Sequence, residues 1–465
     1  MAVSGSSRRT CVDHERSEQG AVPTERRTIW GWALYDWANS AFATTVMAAF
    51  FPVFFKQQWS HDVDVNLSTA RLGLGNAAAS LLVALMAPVL GAIADRSGRR
   101  KRFLIGFTLL GVAMTATLAL VPQGRWAFAL FVYGAAYIGF AGAIIFYDAL
   151  LPQIAPPDRI DQVSSLGYAL GYLGGGLLLL LNVVMALKPH LFGLPDAGVA
   201  VRLAFASVAV WWGVFAWFAF AWTPPDPVGD RPRLSRQIAA GWGQLMATFR
   251  KIRQLKHAFL FLAAYWCYID GVDTIIKMAV DFGMSLGFDF KDLIVALLIV
   301  QFIGFPAALV FGQLGKHWGV RRSIYLALSI YMLVTLWGAS MTKVSEFYMM
   351  ACVIGLVQGG IQALSRSYFA RFVPRGQSAE FYGFYNMLGK FAAIVGPALM
   401  GMTGLIAKRI LLPDNPTAEQ IQSLGMAATR TSIMAVLLLF ILGALLLYFV
   451  DEQKGRTQAE AFDLE

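Results

Sequence analysis

Twelve apolar runs of membrane-crossing length constrain this chain more than anything else in it. They lie at roughly 29–55, 70–94, 102–121, 126–152, 162–187, 201–223, 257–282, 290–315, 322–341, 345–370, 378–406 and 428–450. At 1.5 Å of rise per residue, about 20 apolar residues cross a hydrocarbon core of about 30 Å. In lipid the backbone must satisfy its own hydrogen bonds, which these runs do as helices. Composition points the same way: 57% of the 465 residues are hydrophobic and only 14% are charged, where soluble domains carry about 25% charge. The expected fold is an all-α integral membrane protein, twelve transmembrane helices in two pseudo-symmetric six-helix bundles.

Basic residues set the orientation. With the N-terminus inside, the inner segments hold 25 Lys and Arg and the outer loops 10. Both termini are therefore expected in the cytoplasm, with the protein in the cell membrane. The net charge of +10 then reflects topology and calls for no nucleic-acid partner. Cys11, Cys267 and Cys352 are far apart and odd in number, so neither a disulfide framework nor a zinc spacing is present. The five histidines fall in loops or at segment ends, and no metal or cofactor site is indicated. Residues 1–28 lack an apolar core and read as a cytoplasmic tail, not a cleaved signal.

A long inner loop, 224–256, divides bundles at 29–223 and 257–450, and residues 451–465 form a second tail. The loop begins proline-rich, then places Ile238, Trp242, Leu245, Phe249 and Ile252 on one helical face with cations opposite. That pattern predicts a helix lying on the anionic inner leaflet, with a calmodulin-like target or a plain linker helix as alternatives. The halves repeat: "GAIADRSGRRKR" after the second run matches "GQLGKHWGVRRS" after the eighth, with Gly91 and Gly98 aligned to Gly312 and Gly319. Ionisable residues follow a period of three. Runs 1, 4, 7 and 10 carry Asp36, Asp148, Asp270 with Asp273 and Lys277, and Arg366, while runs 3, 6, 9 and 12 carry none inside. Helices facing lipid cannot keep charge, whereas helices lining a cavity can.

"GAIADRSGRRKR" resembles the loop motif of the major facilitator superfamily, here at Gly91, Asp95, Arg96, Gly98, Arg99 and Arg100. "WALYDWANSAFATT", "LSRSYFARFVP" and "FYGFYNMLGKFAAIVGP" resemble the vacuole-effluxer-like branch, whose eukaryotic relatives are autophagy-related vacuolar amino-acid effluxers. The resemblance implies a secondary transporter working by alternating access, with amino acids as a candidate cargo. The C-half loop departs from the motif, with Lys316 where the N-half has Asp95. An inner latch centred on a loop carboxylate is expected mainly in the N-half.

Depth sorts the remaining candidates. Asp270, Gln358, Asn386 and Lys390 fall near mid-membrane, while Asp36, Asp148 and Arg366 lie nearer the inner end. Asp273 and Lys277, four apart on one helical face, either form a structural ion pair or line the cavity. Asp270 has no obvious partner at helical spacing in its own run and is expected either to carry a proton or to face the ligand. Lys390 pairs with Asp270 or meets a substrate carboxylate. Gln358, Gln362 and Arg366 form a stripe that guides an anionic group, or Arg366 simply snorkels. Asp36 reads as gate or ion relay, and Asn39 as a cavity wall. The glycines of "GYALGYLGGG" read as helix packing. "GQLGKH" and "NMLGKF" lack the rest of a phosphate loop, so ATP is not the driving force.

The function expected is secondary active transport of a small polar solute by a monomer in the bilayer, coupled to protons or another ion. A sugar symporter is the rival within the class. A membrane transferase would need clustered carboxylates or histidines at a membrane face, and a receptor a folded soluble domain.

Overall fold

The computed structural model describes residues 9–63, 65–226, 241–285, 288–374, 376–411, 417, 427 and 430–462. These residues are helical throughout, with no strand among them. The elements are α1 (Arg9–Ala41), α2 (Val65–Ser97), α3 (Arg100–Leu118), α4 (Trp126–Ile154), α5 (Ile160–Leu187) and α6 (Ala197–Trp222), then a linker helix α7 (Gly241–Gln254). The second half holds α8 (Lys256–Ser285), α9 (Phe290–Trp318), α10 (Val320–Ser340), α11 (Val344–Ala370), α12 (Ser378–Leu411), α13 (Val436–Tyr448) and α14 (Glu452–Phe462). Twelve of the helices are long and apolar enough to cross a membrane.

In the first bundle α1 packs on α5 and α6, and α3 on α4 and α6; in the second α8 packs on α12 and α13, and α11 on α9 and α10. The bundles meet chiefly where α2 crosses α12 and where α5 crosses α9. Spans 1, 4, 7 and 10 are the most buried, each 61% over its central window. Exposed Leu109, Trp217, Leu333 and Leu438 lie on α3, α6, α10 and α13, the third helix of each triplet. Those faces are the ones left for lipid, in line with the period of three.

Three local features differ from, or add to, the sequence expectation. Helix α1 already begins at Arg9, inside the expected tail. It also continues through π-helical Phe42–Phe50 and Phe55–Trp59, a conformation that tends to mark functional helices. Thr44 donates its hydroxyl to the carbonyls of Ser40 at 3.0 Å and Gly175 at 3.2 Å, so this polar side chain is satisfied inside the span.

Helix α7 packs on protein through its C-terminal half. Ile252 is fully buried, and Phe249 packs against Phe259 and Phe384, both at 6.1 Å between ring centroids. This part of its apolar face is used against protein. Ile238 and the side chains of Trp242 and Leu245 lie outside the described residues.

Candidate functional site

Arg366, near the end of α11, enters the first bundle and is 2% exposed. Its Nη1 lies 3.1 Å from Asp148 Oδ1 and 3.4 Å from Asp36 Oδ2. Nε donates to Ser164 Oγ at 3.0 Å and Nη2 to the Ser164 carbonyl at 2.8 Å. The planar fork of arginine suits this multipoint capture. Trp32, Tyr147 and Tyr168 surround the guanidinium, with ring centroids 4.8, 5.3 and 4.4 Å from Cζ. Trp32 stacks on Tyr147 at 4.4 Å and donates Nε1 to the Tyr147 carbonyl. The Tyr147 hydroxyl donates to Asp36 Oδ2 at 2.8 Å, and Asn386 Nδ2 to Asp148 Oδ2 at 3.1 Å. Snorkelling is thereby ruled out for Arg366: its head is turned inward and fully engaged.

Glycines make this convergence possible. A Cβ on Gly167 would stand 2.7 Å from both Asp36 Oδ2 and Tyr147 Oη, and one on Gly171 2.6 Å from Ser40 Oγ. Helix α5 can approach the charged face of α1 only with hydrogen at these positions.

The second inter-bundle element is the loop between α2 and α3, which turns on Gly98 at φ +62°. Asp95 Oδ1 accepts from Ala379 N at 3.1 Å and Oδ2 from Glu380 N at 2.7 Å. A carboxylate in the last turn of α2 thus caps the N-terminus of α12 in the other bundle, where the helix dipole favours negative charge. Arg100 pairs with Asp95 at 2.6 Å and donates to the Gly376 carbonyl at 2.7 Å. The latch cation is Arg100, whereas Arg96 is exposed and Arg99 only precedes α3. Gly91 allows the crossing, since a Cβ there would meet the Ala379 carbonyl oxygen at 2.0 Å.

Between the bundles lie partly exposed Lys390, Asp273, Gln358, Gln362 and Asn386. Lys390 Nζ sits 5.3 Å from the Tyr137 ring centroid. Tyr172 donates to Gln362 Oε1 at 3.4 Å and lies within reach of Gln358. Tyr265 stacks on Tyr385 at 4.1 Å.

Asp270 belongs elsewhere. It is 2% exposed and accepts the Gly396 N–H at 2.9 Å. Pro397 follows inside α12, and a helical proline disturbs the preceding turn. Asp270 accepts an amide of the turn before that proline, and Lys390 instead lies against the Tyr137 ring. Asn39 is 3% exposed beside Tyr35, within the first bundle and not on a cavity wall. The side chain of Lys277 lies outside the described residues. Reading the sequence missed Ser164, Glu380 and the ring of aromatics; the only hint was Trp and Tyr flanking the charges in "WALYDW" and "FYDAL".

Two six-helix bundles joined around a polar interface and locked at one end define the fold of a major facilitator superfamily transporter. The solved structure of the human organic anion transporter MFSD10 aligns over 91% of this chain and 99% of its own, at 15% identity and TM-score 0.66. The proton:xylose symporter XylE aligns over 94% and 98%, at 15% identity and TM-score 0.65. The family model "Vacuole effluxer Atg22 like" matches residues 24–72 and 68–403, and the chain belongs to that family. An uncharacterized MFS-type transporter, YxiO of Bacillus subtilis (strain 168), is 35% identical over 91% of this chain and 94% of its own. Autophagy-related protein 22 of Coccidioides immitis is 23% identical over 84% and 86%.

Proposed function

We propose that the protein is a proton-coupled secondary transporter of amino acids, working by alternating access, with its termini and linker facing the cytoplasm of the cell. The observation carrying this reading is Arg366 of one bundle held between Asp36 and Asp148 of the other. Two carboxylates around one guanidinium leave one negative charge in excess. Burying that charge uncompensated is costly, so a proton completes the closed lock. Asp36, with the longer contact to Arg366 and the greater exposure of the pair, is the carboxylate a proton reaches from the cavity. It takes over the coupling role first expected of Asp270.

The polar residues between the bundles support the cargo class. Partly exposed Lys390 and Asp273 offer a cation and an anion, which suits a zwitterion, and nearby tyrosines such as Tyr137 supply apolar faces with polar tips. The charge bias of the loops supports the orientation. Single cysteines at exposed Arg159 and Gln453 should react with an impermeant reagent only after the membrane is opened.

The test of substrate class is thermal stabilisation of the purified protein across amino acids and sugars. Amino acids should raise the midpoint for the unmodified chain and not for Lys390→Ala, with partial recovery in Lys390→Arg. Stabilisation by sugars alone would replace the amino-acid reading with the sugar one.

A further inference from the structure

Helix α7 rests on the very residue that receives the Asp95 latch. Glu380 donates its backbone N–H to Asp95, while its carboxylate, 3% exposed as a residue, faces the linker helix. Thr248 Oγ1 donates to Glu380 Oε1 at 2.5 Å. Lys251 Nζ reaches Oε1 at 3.5 Å and Oε2 at 3.4 Å, and Gln377 Oε1 at 3.2 Å. Thr248 and Ile252 are fully buried, so α7 is seated and not merely near. The start of the linker is tied to the other bundle. Asp226 accepts from Lys101 N at 2.8 Å and Arg102 N at 3.1 Å, capping α3 just beyond Arg100, and Lys101 Nζ donates to the Thr223 carbonyl at 2.6 Å.

We propose that Glu380 is a positioning residue that couples the linker helix to the inner gate, so that seated α7 favours the state closed on the terminus-bearing face. A short buried link between a helix of the linker and the first turn of α12 holds that turn where its amides meet Asp95. Undocking α7 frees the turn and weakens the latch without touching Asp95 or Arg100. The inference rests on the reading that the bundles alternate between two openings, and its readout is conformation, not transport.

The experiment places spin labels at exposed Asp158 and Gln453, one on each bundle, in the full chain in lipid nanodiscs. Lys251→Glu sets like charge beside Glu380 and should shift the distance distribution toward the open arrangement by about fivefold, the size of a modest partly exposed ion pair. Adding Glu380→Gln removes the repulsion and should return most of the population to the short distance. Thr248→Val alone should shift it in the same direction as Lys251→Glu. An unchanged distribution in Lys251→Glu would overturn the proposal. So would a shift that Glu380→Gln leaves in place, because it would then stem from damage to α7 itself. Loss of amino-acid stabilisation with these distance shifts intact would count against the substrate and leave the strap standing.

Discussion

Where α2 crosses α12, the loop beyond Gly91 turns on Gly98; where α5 crosses α9, the loop beyond Gly312 turns on Gly319, at φ +88°. The backbones match. A Cβ on Gly91 would stand 2.0 Å from the Ala379 carbonyl oxygen, one on Gly383 2.5 Å from that of Ala87, and one on Gly312 2.7 Å from Ser165 Cβ. The charges do not match. At the first crossing the carboxylate is Asp95 in the last turn of α2, bound to the amides of α12 and to Arg100. At the second, Lys316 holds that place and is exposed. The carboxylate there is Asp161 in the first turn of α5, paired with Arg371 at 2.6 Å. Arg371 also pairs with Glu452 of α14. Close approach of two backbones tolerates only glycine and so preserves the repeat. The carboxylate can move to the other partner, provided a cation moves with it.

The largest effect should come from the arginine of the second bundle that is buried between two carboxylates of the first. Arg366→Ala leaves Asp36 and Asp148 buried without their cation, at a cost of about 3–5 kcal/mol. Transport should vanish and the thermal midpoint fall sharply; a variant that transports normally would show that the lock is incidental. Next, Gly91→Ala sets a methyl against backbone and should lower transport about tenfold or more. Gly312→Ala meets a serine side chain and should cost less. Equal losses in the two would mean that the crossings are energetically symmetric.

Smaller effects separate the charges. Asp95→Asn keeps one acceptor oxygen but loses charge assistance, about 1.4 kcal/mol in all, and should cut the closed population about tenfold. Asp161→Asn should change it by a few-fold, since Arg371 retains Glu452. Cysteine accessibility from the terminus-bearing side measures both. The smallest effect is expected for Lys316→Asp, about 0.5 kcal/mol or less in thermal unfolding, because the residue is exposed. A large loss there would show a second loop latch.

The twelve spans, the duplication and the N-half motif around Asp95 were legible because each rests on a local pattern: a hydrophobic run, a spacing, or a glycine at a turn. The partners of buried charges were not. Arg366 lies 330 residues from Asp36 and 218 from Asp148, and depth alone left it as either guide or snorkel. Asp270 looked unpartnered because it accepts from a backbone N–H of α12, that of Gly396 beside Pro397. Backbone donors opened by tertiary kinks leave no sign in a residue pattern. Helix α7 was legible as amphipathic, yet the pattern does not distinguish a lipid surface from a protein one.

Asp36 decides the account most directly. Reconstituted Asp36→Asn, given an imposed proton gradient, should still exchange labelled amino acid across the membrane and fail to accumulate it. Full gradient-driven accumulation by that variant would contradict a lock completed by a proton on Asp36.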